Sequence, residues 1–333
     1  MKRKAAATAI ALLVGVACLV AGDTYLTRKE SWRRGQPEGW TSVTANWSVA
    51  WCADSPDGGA LAGQYDAQGY AVPETDAFLA TTGTSRGIFT GNYRAGSTAP
   101  RAILFDFLPR DVLPSSLLFR LIGRYGGTNY VFFTSLTNQV HSAGAWEHLT
   151  VPLQYEEGNW AGGASRDFTN ALGDVRQIEI RVTRRGTGAQ AYAVDNCTLV
   201  RVVPPALATN DTDRDSLPNY WEQEFFGGPT NAAAGKDDDG DGLSNAEEYF
   251  GGTDPRDGSS YLRIDRIAVE LDRYNLWFDS VLGRQYAAAA ATGLAQPVWL
   301  PLSNQVDGAG WYMNLPVTHS GSNAFFRLRG RVP

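Results

Sequence analysis

The sequence predicts a mainly β protein, with an N-terminal β-sandwich over residues 25–203, a short helical segment over 211–259 and a small C-terminal β-sandwich over 260–333. Three observations lead there. Short alternating apolar runs recur between clusters of Gly, Ser, Asn and Pro, which is the spacing of stacked strands. Amphipathic runs long enough for a helical bundle are scarce, whereas Gly and aromatic residues are plentiful. Acidic residues are crowded into one stretch, and 333 residues suffice for two or three separate cores.

The chain opens with Lys2, Arg3 and Lys4 ahead of an apolar run from Ala5 to Ala21, the layout of a secretory signal peptide over residues 1–22. The run approaches the ~20 residues of a bilayer-spanning helix, so an uncleaved anchor is one alternative and acylation of Cys18 another. In each case the basic flank puts the rest of the chain outside the cytoplasm, secreted or at the cell surface. Cleavage leaves no membrane span, and it leaves Cys52 and Cys197 as a pair in an oxidising compartment. One disulfide is expected from that parity. It would join the two ends of the first sandwich and contribute about 5 kcal/mol on the chain-entropy model; two unpaired thiols are the alternative.

The strands of the first sandwich are read from "RAILFDFLP", "SLLFRLIGRYGG", "NYVFFTSL", "WEHLTVPL", "VRQIEIRVT" and "AYAVDNCTLV". "LLFRLIG" also fits a helical turn by period, but Gly123 and its β-rich neighbours favour a strand. Residues 204–210, entered through the paired prolines of "VVPPALATN", read as an extended linker. After residue 260, "YLRIDRIAVEL", "NLWFDSV", "RQYAAAAAT", "WYMNLPV" and "AFFRLRGRV" again look like strands. The alanine run 287–291 is too tightly bracketed by Gln285, Tyr286 and Thr292 for a stable helix.

Net charge is −6, yet residues 206–259 alone hold 13 acidic and 3 basic side chains, a local net of −10. Acidity so localised points to a cation site rather than to solubility. The stretch contains an internal repeat: "DTDRDSLPNYWE" from Asp211 aligns with "DDDGDGLSNAEE" from Asp237. Acids match at loop positions 1, 3 and 5 (Asp211, Asp213, Asp215; Asp237, Asp239, Asp241), Leu217 and Leu243 at 7, Asn219 and Asn245 at 9, Glu222 and Glu248 at 12. Those are the positions from which a twelve-residue loop ligates Ca2+, with a backbone carbonyl at 7, a water-mediated contact at 9 and a bidentate carboxylate at 12. The segment offers oxygen donors and no Cys or His, which selects a hard cation over zinc. Ser244 and Glu247 form a capping-box pattern that puts Glu248 in a first helical turn, with Gly251 at the helix end. In the first copy Pro218 suits a helix start and Gly227 its stop. Gly242 provides the sharp turn at position 6, where the first loop has Ser216. A solvated acidic linker without metal is the alternative.

The whole segment, down to the closing "GTDP" at 252–255, resembles the calcium-binding type 3 thrombospondin repeats of bacterial secreted proteins. The resemblance implies a calcium-stiffened connector between β domains, held by the acids named above. The segment is also similar to dockerins, but those usually close their loops with Asp, where this chain has Glu222 and Glu248. In "ILFDFLP", "AWEHLTVPL" and "YAVDNCTLV" the first sandwich resembles carbohydrate-binding jelly rolls. The last unit, with "GRQYAAAAAT", "VWLPL" and "FFRLRG", resembles small C-terminal β modules of secreted multidomain proteins, which implies secretion or surface display.

Nucleic acid is excluded as a partner by the lack of a basic, aromatic stripe. "GTSRG" at 83–87 matches G-x-S-x-G but lacks the strand–turn–helix context of a nucleophile elbow. His141 and His148 are too few for catalytic zinc without a third ligand. Glu147, Glu156 and Glu157 are the carboxylates from which a glycosidase pair could be drawn, a separation that sequence cannot measure. The chain is therefore read as non-enzymatic. Tyr155 and Trp160 in "QYEEGNWAGG" and Tyr125 in "GRYGGTNY" lie in polar, Gly-rich stretches where rings can offer flat faces to sugars; Trp146 is assigned to the core. Two readings stand: a protein that binds extracellular polysaccharide through the first sandwich, and a structural or adhesive protein that pairs with another surface protein.

Overall fold

The computed structural model describes residue 19 and residues 23–333 apart from 45–46, 54, 56–57, 66–74, 95–97, 271–272 and 320–323; the expected signal peptide lies outside the described residues, except for Leu19. Among the described residues ten strands build the first sandwich: β1 (Thr24–Glu30), β2 (Trp47–Cys52), β3 (Ala60–Tyr65), β4 (Thr75–Thr81), β5 (Ala99–Pro109), β6 (Ser116–Tyr125), β7 (Thr128–Ser135), β8 (Glu147–Pro152), β9 (Val175–Thr183) and β10 (Gln190–Val203). One sheet runs β2-β3-β10-β5-β8, with β1 also paired to β10; the other runs β4-β9-β6-β7, and all pairings are antiparallel. The alternation of β6 sends Leu117, Phe119 and Leu121 into the space between the sheets, so the segment with the ambiguous period is a strand. Ile103, Phe105 and Phe107 of β5, Leu149 and Val151 of β8, and Ile178 and Ile180 of β9 meet them there. Trp32, Trp40 and Trp47 close the end of this core.

Strand β10 is buried along nearly its whole length, the sign of a strand covered on both faces. A β-bulge between Asp195 and Thr198 shifts its register against β5. Before the bulge Tyr192 and Val194 face the core, and after it Cys197 and Leu199 do. Asn196, at φ 53°, is turned to the opposite side. The expected Cys52–Cys197 disulfide is not formed: both thiols are free, Cys197 fully buried in the core and Cys52 at the end of edge strand β2, where Arg110 donates to its Sγ. Burial pushes the Cys197 thiol well above the usual range.

A short helix, α1 (Ser165–Ala171), packs Phe168 and Ala171 onto the first core. The expected extended linker contains a helical turn, α2 (Pro205–Ala208), because Pro205 at the first helical position needs no N–H partner there. Two further helices follow: α3 (Asn219–Phe226), ended by Gly227 at φ 76°, and α4 (Asn245–Gly251), started by a complete Ser244–Glu247 capping box and ended by Gly252 at φ 82°. The helix thus runs one residue past the stop expected at Gly251. Trp221 meets Tyr249 edge-on at 5.7 Å, and with Leu217 and Tyr220 they pack against Leu26 of β1 and Val203 of β10.

The last unit contains β11 (Arg266–Glu270), β12 (Arg273–Asp279), β13 (Gln285–Ala291), β14 (Leu300–Pro301), β15 (Val306–Asp307), β16 (Tyr312–Thr318) and β17 (Phe325–Arg331). Sheet β11-β12-β16 and a sheet centred on β13, which pairs with β14, β15 and β17, enclose Leu276, Phe278, Tyr286, Ala288, Leu315 and Val317. The alanine run is a strand, as expected, and lies at the centre of its sheet. This unit packs directly on the first sandwich, on the face of β5 and β10 that points away from the larger core. Tyr25, Ala102, Leu104 and Val200 are covered there by Leu282, and Gly283 and Gly310 lie close against Tyr25 and Leu104.

Candidate functional site

The two acidic loops fold alike. At position 1, Asp211 accepts from the backbone N–H of Arg214 (2.7 Å) and Ser216 (3.0 Å), and Asp237 from Gly240 (2.6 Å) and Gly242 (2.9 Å). At position 5, Asp215 accepts from Leu217 N–H and Asp241 from Leu243 N–H. Wrapping the chain around the position 1 carboxylate puts positions 4 and 6 in the left-handed region: Arg214 (φ 61°) and Ser216 (φ 81°) in the first loop, Gly240 (φ 83°) and Gly242 (φ 96°) in the second. In each loop one ligand-type oxygen from each of the three aspartates falls within 4.8 Å of the others.

Glu222 and Glu248 are 0 % exposed, although each belongs to a solvent-facing acidic segment. One oxygen of Glu222 accepts from Ala232 N–H (3.1 Å) and one of Glu248 from the Thr253 hydroxyl (3.3 Å). The second oxygen of each, together with Asp239 Oδ2, Asp241 Oδ2 and Asn245 Oδ1, is buried without a hydrogen-bond partner among the described residues. Burial, then the charges of Asp239 and Asp241, push the Glu248 carboxyl up to about 9. Burial and the three aspartates of its own loop raise Glu222. Buried oxygens of like charge facing one another are costly unless something positive lies between them. The donor set is all oxygen, which suits a hard divalent cation.

The position 9 side chains also bond within their own loops. Asn219 Oδ1 accepts from Thr212 N–H and its amide donates to the Thr212 hydroxyl, both at 2.8 Å; the Asn245 amide donates to Asp238 Oδ2 and Ala233 O, both at 2.9 Å. In both copies the position 9 side chain is thus stapled to position 2, a role that spacing alone does not reveal. Leu217 and Leu243 have only a backbone carbonyl to offer, and the Leu217 side chain is fully buried in the helix-pair core.

The turn after α4 was missed as part of this site. Asp254 and Asp257 are nearly buried, and Gly258 lies against the backbone and side chain of Asp239. Arg34 and Arg86 of the first sandwich pair with Asp257 at 2.7 and 2.8 Å, and Arg28 and Arg86 reach Asp254 at 3.5 Å. The Ser259 hydroxyl, which donates to it, and then Arg86 and Arg34 hold the Asp257 carboxyl below the usual range despite burial. Lys29 and Arg33 extend the same arrangement to Asp279, and Arg33 to Asp265. The acidic segment is therefore clasped to the basic edge of the sandwich.

The three aromatic residues expected to contact a ligand do not form a platform. Trp160 is 3 % exposed, packs on Phe168 at 4.8 Å and donates its indole N–H to Pro152 O. Its polar neighbours misled because Ala161 bridges back to Phe133 and drives the ring inward. Tyr155 is half-buried against Phe168 and donates to Gly163 O; Tyr125 alone is well exposed, at the tip of the β6–β7 hairpin. Trp146, assigned to the core, is only half-buried. Ser85 of the G-x-S-x-G match is 1 % exposed in a 3-10 turn and accepts from the Trp40 indole. Glu147 accepts from two backbone N–H groups of the 141–142 turn, and Glu156 from Asn159. His148 lies 2.5 Å from Asp106 and stacks on Trp311 of the last unit.

No protein-family model matches the chain, and no curated protein matches it. Among solved structures it is similar to the family 11 carbohydrate-binding module from Clostridium thermocellum in complex with a β-1,3-1,4-mixed-linked tetrasaccharide, at 13 % identity and a TM-score of 0.34, over 52 % of this chain and 94 % of that one. An exo-β-agarase is similar at 9 % identity and TM-score 0.37 over 53 % of this chain and 24 % of that one. The L4b domain of human laminin α-2 is similar at 11 % and 0.27, over 38 % and 80 %. The neighbours include carbohydrate-binding β-sandwich modules, and at these scores the likeness carries no argument about ligand. No described helix is long and apolar enough to cross a membrane.

Proposed function

We propose that this is a secreted or cell-surface, non-enzymatic calcium-binding protein whose β-sandwich region recognises an extracellular polysaccharide. The observation that carries the calcium reading is the pair Glu222 and Glu248: each is fully buried behind an aspartate triad with one oxygen left unpartnered among the described residues. A divalent cation in each loop would be held by Asp211, Asp213, Asp215 and Glu222, and by Asp237, Asp239, Asp241 and Glu248. Its role is structural, since the loops brace two helices against β1 and β10. Support for a saccharide ligand comes from half-buried aromatic and polar side chains at the junction of the two β units, not from Trp160.

Calorimetric titration of the metal-stripped full chain with Ca2+ tests the first half: two sites are expected, with affinity in the ~10⁻⁴–10⁻³ M range of extracellular modules. No heat and no change in melting temperature would overturn it. Affinity electrophoresis of the calcium-loaded protein in gels containing soluble polysaccharides tests the second half, and uniform mobility across the panel would overturn that.

A further inference from the structure

A cavity of about 300 Å³ lies where the last unit covers the outer face of the larger sheet. Its floor belongs to the first sandwich: Asp106 of β5, His148 of β8, and Asn196 on the bulge of β10. Its roof belongs to the last unit: Arg266 of β11, Trp277 of β12 and Tyr312 of β16. Trp146 stands at one side. The volume is at the lower end of the range for small-ligand pockets, and a junction between two packed units is a common place for one.

The lining has the two chemistries that a sugar ring requires. Trp277 and Tyr312 stack at 5.7 Å with an interplanar angle of 18°, and with Trp146 they offer flat apolar surface. Opposite them Asn196, 2 % exposed, donates to Asp106 at 2.8 Å, while its Oδ1 has no protein partner among the described residues. The Trp277 indole N–H also has none. A buried acceptor and a buried donor left over at one cavity are what hydroxyl groups of a ligand would satisfy. The bulge is the feature that makes this possible, since it turns Asn196 out of the core and beside Asp106. At the rim Arg266 lies over Trp277 at 4.9 Å, is exposed, and makes no ion pair with a described residue. A guanidinium held by an aromatic face keeps its hydrogen-bonding edge for a carboxylate.

We infer that this composite cavity is the saccharide site, that it takes a single sugar unit of a polysaccharide, and that Arg266 favours a uronate there. The inference rests on the saccharide reading above and makes the last unit a necessary half of the site. The test is affinity electrophoresis of the full calcium-loaded chain against uronate-bearing and neutral polysaccharides, with Asn196→Ala, Trp277→Ala and Arg266→Gln, each checked for an unchanged melting temperature. If Trp277→Ala alters melting, quenching of tryptophan fluorescence by sodium glucuronate in the unmodified protein and in Arg266→Gln supplies the readout. Retention by uronate polymers is expected to fall at least tenfold in Asn196→Ala and Trp277→Ala. Arg266→Gln is expected to lose the preference for uronate over neutral chains. Polysaccharide binding unchanged in all three variants overturns the site and leaves the saccharide reading intact. Equal retention by neutral and uronate chains overturns the uronate assignment, and no retention by any polysaccharide overturns both.

Discussion

The two acidic loops share one hydrogen-bonding plan and differ in how the plan is accommodated. The second has Gly240 and Gly242 where the backbone must turn left-handed; the first has Arg214 and Ser216 in the same conformation. The second keeps Asp239 Oδ2 and Asp241 Oδ2 unpartnered among the described residues, whereas Asp215 Oδ2 in the first accepts from Ala234 N–H at 2.9 Å. The second is backed by the Asp254–Asp257 turn and its arginines; among the described residues the first has one such contact, Arg28 to Glu224 at 3.3 Å. The inequality that Ser216 against Gly242 announces in the sequence extends further: among the described residues one loop is relaxed and keeps several unpartnered oxygens, and the other is strained and keeps fewer of them.

The largest consequence concerns Glu248 in the metal-free protein. Its folded carboxyl titrates near 9, above the ordinary 4.5, so its contribution to stability is full below about 4.5 and is lost as pH rises through about 9. Metal-free protein is expected to melt higher at pH 5 than at pH 8, by an amount reflecting several kcal/mol. Saturating Ca2+ should remove that slope. Glu248→Gln should raise metal-free stability at pH 8 and lower the affinity of the second loop by on the order of 100-fold, the scale on which ligand charge tunes such loops. Glu222→Gln should do both to a smaller degree. Equal effects of the two substitutions would show that the loops are alike after all.

A smaller effect is expected from the clasp. Removing both Arg34 and Arg86 by substitution with Gln leaves Asp254 and Asp257 nearly buried and less well paired. Because the arginines are about a third exposed, the cost should be about 1–2 kcal/mol of stability. Calcium affinity should weaken a few-fold in the second loop and stay unchanged in the first. Titration of the double variant beside the parent checks this, and an equal loss at both loops would sever the turn from the second site.

What could be read from sequence was local. Strand alternation pointed to both sandwiches, since a two-residue period survives any tertiary arrangement, while β6 and the alanine strand β13 were read from Gly123 and from tight bracketing rather than from period. The acids at positions 1, 3, 5 and 12 were legible because a loop of twelve residues imposes its own spacing. What depended on distant partners was not legible. Trp160 is buried where the adjacent Ala161 bridges to Phe133, and Asn196 faces outward because of a bulge against β5. The packing of the last unit on β5 and β10 left no periodic trace in the sequence, and shows only in the burial of β10 along nearly its whole length. Cys52 and Cys197 have the parity of a disulfide, but the bulge that points Cys197 into the core is a long-range feature that parity ignores.

The finest test is Ser216→Gly. Ser216 sits at φ 81°, where a side chain other than Gly is strained by about 1–2 kcal/mol, and its N–H is already used by Asp211. Glycine removes the strain from the folded state but adds freedom to the unfolded chain, and the two oppose each other. A net gain of about 0.5–1 kcal/mol is expected, with a few-fold tighter calcium affinity in the first loop alone. The reverse change, Gly242→Ser, places a side chain at φ 96° with open space around it, so strain alone should cost about 1 kcal/mol. Opposite signs in the two variants, read by denaturant unfolding in saturating Ca2+, would establish that backbone conformation at position 6 separates the two loops. The same sign in both would put the difference in the unpartnered carboxylate oxygens instead.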